Sequence, residues 1–132
     1  PSFHSNRGRV ELWLSGWRML RDHLWTGIGI LHFEHVYPSY RYSLDPAAHL
    51  HNLYLQTLVE SGVLVGGVWL VLVGTLLKRI FIPSSNPLYR AIQSSLLVYL
   101  LASLFDYTLA DIRVGFYLCV ILALGLQRFP VK

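Results

Sequence analysis

His32, His35, His49 and His51 fall within twenty residues of one another in a chain of 132. Imidazole changes charge near neutral pH and is also a common metal ligand, so the clustering invites either proton transfer or metal ligation. Zinc is the poorer fit, because the spacing matches no standard site and no cysteine stands nearby. Residues 48–62 read Ala-His-Leu-His-Asn-Leu-Tyr-Leu-Gln-Thr-Leu-Val-Glu-Ser-Gly. Taken as a helix, Asn52, Gln56 and Glu60 form one stripe at i, i+4 and i+8, His51, Leu55 and Leu58 form another, and His49 points elsewhere. A polar stripe that runs into an apolar span is costly in lipid, so it must face protein, water or a polar ligand. A hydrogen-bonded packing network between helices answers that requirement as well as a binding site does.

The elements that hold these groups read as membrane protein. Hydrophobic residues make up 54% of the chain and charged residues 14%, with mean hydropathy +0.46. A soluble domain carries about 25% charged residues. The net charge of +4 is placed as membrane-flanking Lys and Arg, not as a nucleic-acid patch. Cys119 stands alone in an apolar run, which excludes a disulfide or a cysteine metal site. The chain opens on Pro1 with no signal-peptide pattern and reads as a segment of a longer protein.

Asn6 can cap a helix from Arg7 onward. Val10, Trp13, Leu14, Trp17, Leu20 and Leu24 recur along it at helical spacing, opposite Glu11, Ser15, Arg18 and Asp22. That pattern predicts an amphipathic helix at the membrane–water interface; a soluble core helix is the alternative. Gly27 and Gly29 break it in a turn, a weak sign of backbone approaching phosphate. Residues 30–48 follow as a long ordered loop of the kind that often carries function. A second helix is expected from near Pro46 to His49 through Glu60, with Gly62 allowing a bend. Apolar runs at 63–77, 92–105 and 114–127 are closed or flanked by Lys78, Arg79, Arg90, Arg128 and Lys132. Each falls short of the roughly 20 residues that cross a bilayer. Snorkelling extends the first to 63–82 and an interfacial Asp106 extends the second to 92–110.

The expected fold is therefore all-α: about three transmembrane helices over 63–132, preceded by an external segment over 1–62 that contains the amphipathic helix. The positive-inside rule puts Lys78, Arg79, Arg90, Arg128 and Lys132 in the cytoplasm and residues 1–62 outside.

His51-Asn52-Leu53-Tyr54-Leu55-Gln56, then Glu60-Ser61-Gly62 and an apolar span, resembles the signature of the O-antigen ligase and polymerase family. Gly8-Arg9, Trp13 and Trp25-Thr26-Gly27-Ile28-Gly29 resemble that family's Arg-containing helix and Gly-x-Gly segment. The match covers about residues 8–80 and departs at Trp25-Thr26, where Pro-aromatic is common.

The resemblance implies a glycan donor linked to undecaprenyl pyrophosphate, handled at the outer face of the bacterial cytoplasmic membrane. The acceptor would be another glycan, a lipid A-core or a protein. It implies a metal-independent glycosyltransferase of the GT-C kind, with no cofactor and no nucleic acid. Arg9 would bind the departing pyrophosphate through charge-assisted hydrogen bonds; an interfacial anchor for lipid phosphates is the other reading. A neutral His51 would take the acceptor hydroxyl's proton. Asn52, Tyr54, Gln56 and Glu60 would contact substrate, with His49 and Arg41 in secondary roles. Tyr37, Tyr40 and Tyr42 could stack on sugars or anchor the interface. Asp106, Asp111 and Arg113 read as structural ion pairs with one another or with Arg9. A membrane transporter of the inorganic-carbon type and a non-catalytic scaffold are the competing functions; a transporter would need polar groups inside its spans.

Overall fold

The computed structural model describes residues 6–42, 46–108 and 111–127. The described residues form helices and connecting segments with no strand: α1 (Asn6–Asp22), α2 (Phe33–Val36), a 3-10 turn (Tyr37–Ser39), α3 (Leu53–Ile80), α4 (Pro87–Ala102) and α5 (Ile112–Leu126). The side chain of Asn6, with Ala110, Arg128 and Lys132, lies outside what is described.

α1 packs inward with a face other than the Val10, Leu14 and Trp17 stripe that the sequence assigns to the membrane interface. Leu12, Ser15, Gly16, Met19 and Leu20 are buried, while Val10, Leu14 and Trp17 are exposed. Gly16 is the reason. A Cβ there would come within 2.7 Å of Leu50, so glycine lets the leucine seat against the helix backbone. Ser15 tolerates burial because its hydroxyl donates to the Glu11 carbonyl at 3.0 Å. Leu12, Met19, Leu20, Phe33, Tyr37, Leu50 and Val59 make one apolar core. The exposed Val10, Leu14 and Trp17 remain as an outward apolar stripe on α1.

α3 starts at Leu53, later than expected. Asn52 is in extended conformation and its Oδ1 accepts from the Leu55 N–H at 2.8 Å, a side-chain cap worth about 1 kcal/mol. The helix kinks where glycine was expected to permit it: Gly62 has φ 70° and ψ 176°. The opened peptide groups find partners in the segment after α1. Ile28 and Gly29 N–H donate to the Val59 and Glu60 carbonyls at 2.9 and 3.0 Å, and Val63 N–H donates to the Leu24 carbonyl at 2.8 Å. A Cβ on Gly27 would lie 2.4 Å from the Glu60 oxygen, and one on Gly62 would lie 2.4 Å from the Trp25 oxygen. The Gly-x-Gly segment is thus a backbone clasp on the α3 kink, not a free turn.

Past the kink, α3, α4 and α5 run antiparallel to their chain neighbours. Asn86 caps α4 through bonds to the Leu88 and Tyr89 N–H groups, with Pro87 at its first position. Asp111 caps α5. Ile80, Ile92 and Leu96 pack with Leu118, Ile121 and Leu122 in a second small core. α3 is the one described helix long and apolar enough to cross a membrane, and only 11% of its most apolar stretch is buried. The core helix of a soluble protein would be mostly covered, whereas this exposed apolar face is of the kind that meets lipid or another apolar helix. The other two expected spans come out short. α4 ends at Ala102 and α5 holds 15 residues, so they reach about 24 and 22 Å at 1.5 Å per residue. After α4 the chain turns through Ser103 to Asp106 and returns to the start of α3, where Leu53 N–H donates to the Ser103 carbonyl at 2.9 Å.

Candidate functional site

The turn after α4 and the loop before α3 meet, and their meeting assembles a polar cluster. His51 lies outside the helix, with φ 49°. A left-handed backbone at a residue other than glycine is uncommon and clusters at functional positions. Its Nδ1 is 3.2 Å from Asp106 Oδ1. Burial pulls the Asp106 carboxyl upward, but hydrogen bonds from His51 and the Tyr107 N–H, with the nearby imidazole charges, outweigh it and hold the group below its usual value. An ionised carboxylate can only accept. Nδ1 is therefore the donor in this contact, an arrangement that in a neutral ring leaves the lone pair on Nε2.

His49 does not point away from His51. The segment is not helical there, and the two rings lie 4.3 Å apart between centroids, tilted by 59°. The His49 ring also lies 5.7 Å from that of Tyr107. Burial and the neighbouring His51 push His49 downward, toward the neutral form. Donor atoms of His49, His51 and Asp106 lie within 4.8 Å of one another, close enough for a cation. A ligating His51 Nδ1 would have to give up its bond to Asp106. His32 and His35, whose rings are 6.2 Å apart, do not join the cluster.

Gln56 and Glu60 do share one face of α3, as their spacing requires. Both are buried. Gln56 Oε1 accepts the Leu50 N–H and its Nε2 donates to Glu60 Oε1, each at 2.8 Å. This chain of bonds fixes the His49–His51 loop to the helix below it. Two other expected contact residues serve the scaffold. Asn52 caps α3 and donates from Nδ2 to the Leu104 carbonyl at 2.9 Å. Tyr54 donates its hydroxyl to the Leu100 carbonyl at 3.0 Å.

Arg9 stands one turn before Trp13 on α1, on the same helix face. Trp13 Nε1 donates to the Leu50 carbonyl at 2.9 Å, which ties that face to the residue preceding His51. Arg9 Nε is buried and has no hydrogen-bond partner among the described residues. Asp111 turns to its own helix end and to Arg113 at 4.0 Å, while Arg18 lies over the Tyr42 ring at 5.2 Å.

A cavity of about 420 Å³ opens beside the histidines, lined by Leu31, Phe33, Glu34, Ala48, His49, Gln56, Glu60 and Tyr107. A second of about 430 Å³ adjoins it, sharing Glu34 and Ala48 and adding Tyr37, Pro38, Arg41, Pro46 and Ala47. A cleft of about 60 Å³ between α3, α4 and α5 is lined mainly by apolar side chains, with Tyr54 and Tyr99 among them.

A family model described as O-Antigen ligase matches residues 2–70. The chain belongs to the O-antigen ligase family. No curated protein and no solved structure matches it. The O-antigen ligase match spans α1, the glycine clasp, the histidine loop and α3 to beyond its kink. It supports, in general terms, a role for this membrane protein in glycan transfer. Asp106 and Tyr107 lie beyond the matched residues; the sequence assigns Asp106 only a structural ion-pair role and Tyr107 none. The available signal was an acid closing the otherwise uncharged run 92–105.

Proposed function

We propose that this O-antigen ligase family chain takes part in moving a glycan from undecaprenyl pyrophosphate to an acceptor hydroxyl, at the outer face of the bacterial cytoplasmic membrane. The observation that carries the reading is the His51–Asp106 pair, 3.2 Å apart at the polar end of an apolar helix. His51 Nε2 accepts the hydroxyl proton as that oxygen forms the new bond to the sugar's anomeric carbon. The bond from this carbon to the pyrophosphate oxygen breaks, and the pyrophosphate leaves with the electron pair. Asp106 orients the ring and stabilises the imidazolium that forms. Arg9, whose buried Nε has no hydrogen-bond partner among the described residues, receives the departing charge; preorganised stabilisation of this kind is often the largest catalytic term. A pyrophosphate is already a stable leaving group, so a guanidinium can replace a metal.

In this reading the protein crosses the membrane several times. α4 and α5 complete shorter crossings beside α3 with their exposed apolar faces in lipid, and Lys78, Arg79 and Arg90 mark the cytoplasmic end. Replacing His51 with Ala in the intact protein tests the chemistry. Glycan transfer should fall at least ~100-fold at normal membrane abundance. Undiminished transfer would remove His51, and the mechanism with it.

A further inference from the structure

We infer that the cavity beside His49 is a sugar subsite that admits neutral or amine-bearing pyranosides and rejects anionic ones, with Glu34 as the discriminating residue. The inference deepens the glycan-transfer reading and rests on it. The cavity's volume of about 420 Å³ lies in the usual ~300–1,000 Å³ range of small-molecule sites. Its ionisable lining is one-sided. Glu34 and Glu60 contribute two carboxylates, and His49 is held toward its neutral form by burial and by His51. Among the described residues, no Lys or Arg lines it. Arg41 lines the adjoining cavity, which shares Glu34 and Ala48 with this one. A pyrophosphate would be repelled here, which separates this space from the donor's charged head.

The remaining lining suits a hydroxyl-rich ring. Glu60 Oε1 receives one bond from Gln56 and belongs to a carboxylate with further acceptor sites. Tyr107, half-buried, supplies aromatic surface, while Phe33 belongs to the core beneath the lining. Tyr107 is drawn upward first by burial and then by the Glu60 charge, which places its hydroxyl within that carboxylate's field. Gln56 and Glu60 are buried and carry the histidine loop, so they are poor probes of specificity. Glu34 is exposed on the four-residue α2 and can be changed without disturbing the core.

The test measures binding, not transfer, so its failure is distinct from failure of the His51 variant. Methyl glucoside, methyl glucosaminide and methyl glucuronide are titrated into the intact protein in detergent, followed by saturation-transfer NMR. The glucuronide should bind about tenfold more weakly than the other two, the size expected for a carboxylate facing like charge at a solvent-reached site. Glu34→Gln should narrow that gap at least threefold, and Glu34→Lys should close or reverse it. Tyr107→Leu should weaken all three probes together. Equal binding of the three by the unaltered protein overturns the inference. So does binding of none, an order that Glu34→Lys leaves unchanged, or indifference of all three to Tyr107→Leu.

Discussion

His51 holds a left-handed backbone, a conformation that costs an ordinary residue roughly 1–2 kcal/mol. Its neighbours compensate through the Leu50 N–H bond to Gln56 and the Trp13 bond to the Leu50 carbonyl. The ring then reaches Asp106 from outside the helix, so the role of the pair is open to a single-atom test. Asp106→Asn replaces an acceptor-only group with one that can also donate, which removes the preference for hydrogen on Nδ1. Transfer should fall about 10- to 100-fold with protein abundance unchanged; full activity would leave the carboxylate without a catalytic part. The neutral tendency of His49 has a second consequence. A base whose folded value is depressed stabilises the fold fully above its unfolded value near ~6.5 and loses that contribution as pH falls toward the folded value. Asp106, also depressed, adds acid sensitivity lower down, below the ordinary carboxylate value of ~3.9. Thermal unfolding in detergent should show a midpoint that drops on acidification below about pH 6.5, and His49→Gln should flatten the upper part of that drop.

At the scale of elements, the clasp between the Gly27–Gly29 segment and the α3 kink decides how the loop and the span are joined. Gly27 and Gly62 both have positive φ and both face backbone atoms at distances that no Cβ can share. Gly27→Ala or Gly62→Ala should destabilise by at least ~2 kcal/mol, combining backbone strain with overpacking, and should lower the unfolding midpoint and membrane yield. Gly67 is the control, since a Cβ there meets nothing within 4 Å; Gly67→Ala should change stability by no more than about 0.5 kcal/mol. A tolerant Gly62 would mean that the kink is not fixed by this contact. The same elements show which stripe of α1 is turned inward. Its apolar residues are too many for one face, and Gly16, small enough to seat Leu50, chooses which stripe is buried.

Across the whole molecule, a cationic group and the His51–Asp106 pair lie at opposite ends of α3 and α4. Lys78, Arg79 and Arg90 cluster around the α3–α4 connection, while His51 and Asp106 occupy the other end of α3 and α4. Under the proposed orientation the first end is cytoplasmic. With Cys119 changed to Ser in the intact protein, a cysteine placed at Ser85 should resist a membrane-impermeant maleimide in intact cells, and one placed at Tyr42 should react. The reverse pattern would put the histidine loop in the cytoplasm and defeat the proposed site of transfer.

Composition, the apolar runs and the order of short motifs were enough to determine a helical membrane chain, its family, the placing of Gln56 and Glu60 on one helix face and the bend at Gly62. Each of these is local: it depends on residues one or two helical turns apart, or on glycine's own freedom. The site's decisive contacts are not local. His51 and Asp106 are 55 positions apart, and they meet because α4 stops at Ala102 and the chain folds back onto the start of α3. That return supplies the Ser103 and Leu104 carbonyls to Leu53 and Asn52, which begins α3 after the histidines and frees both rings from helical geometry. Periodicity placed His49 and His51 on separate helical faces. Only the tertiary competition for backbone hydrogen bonds could bring them side by side.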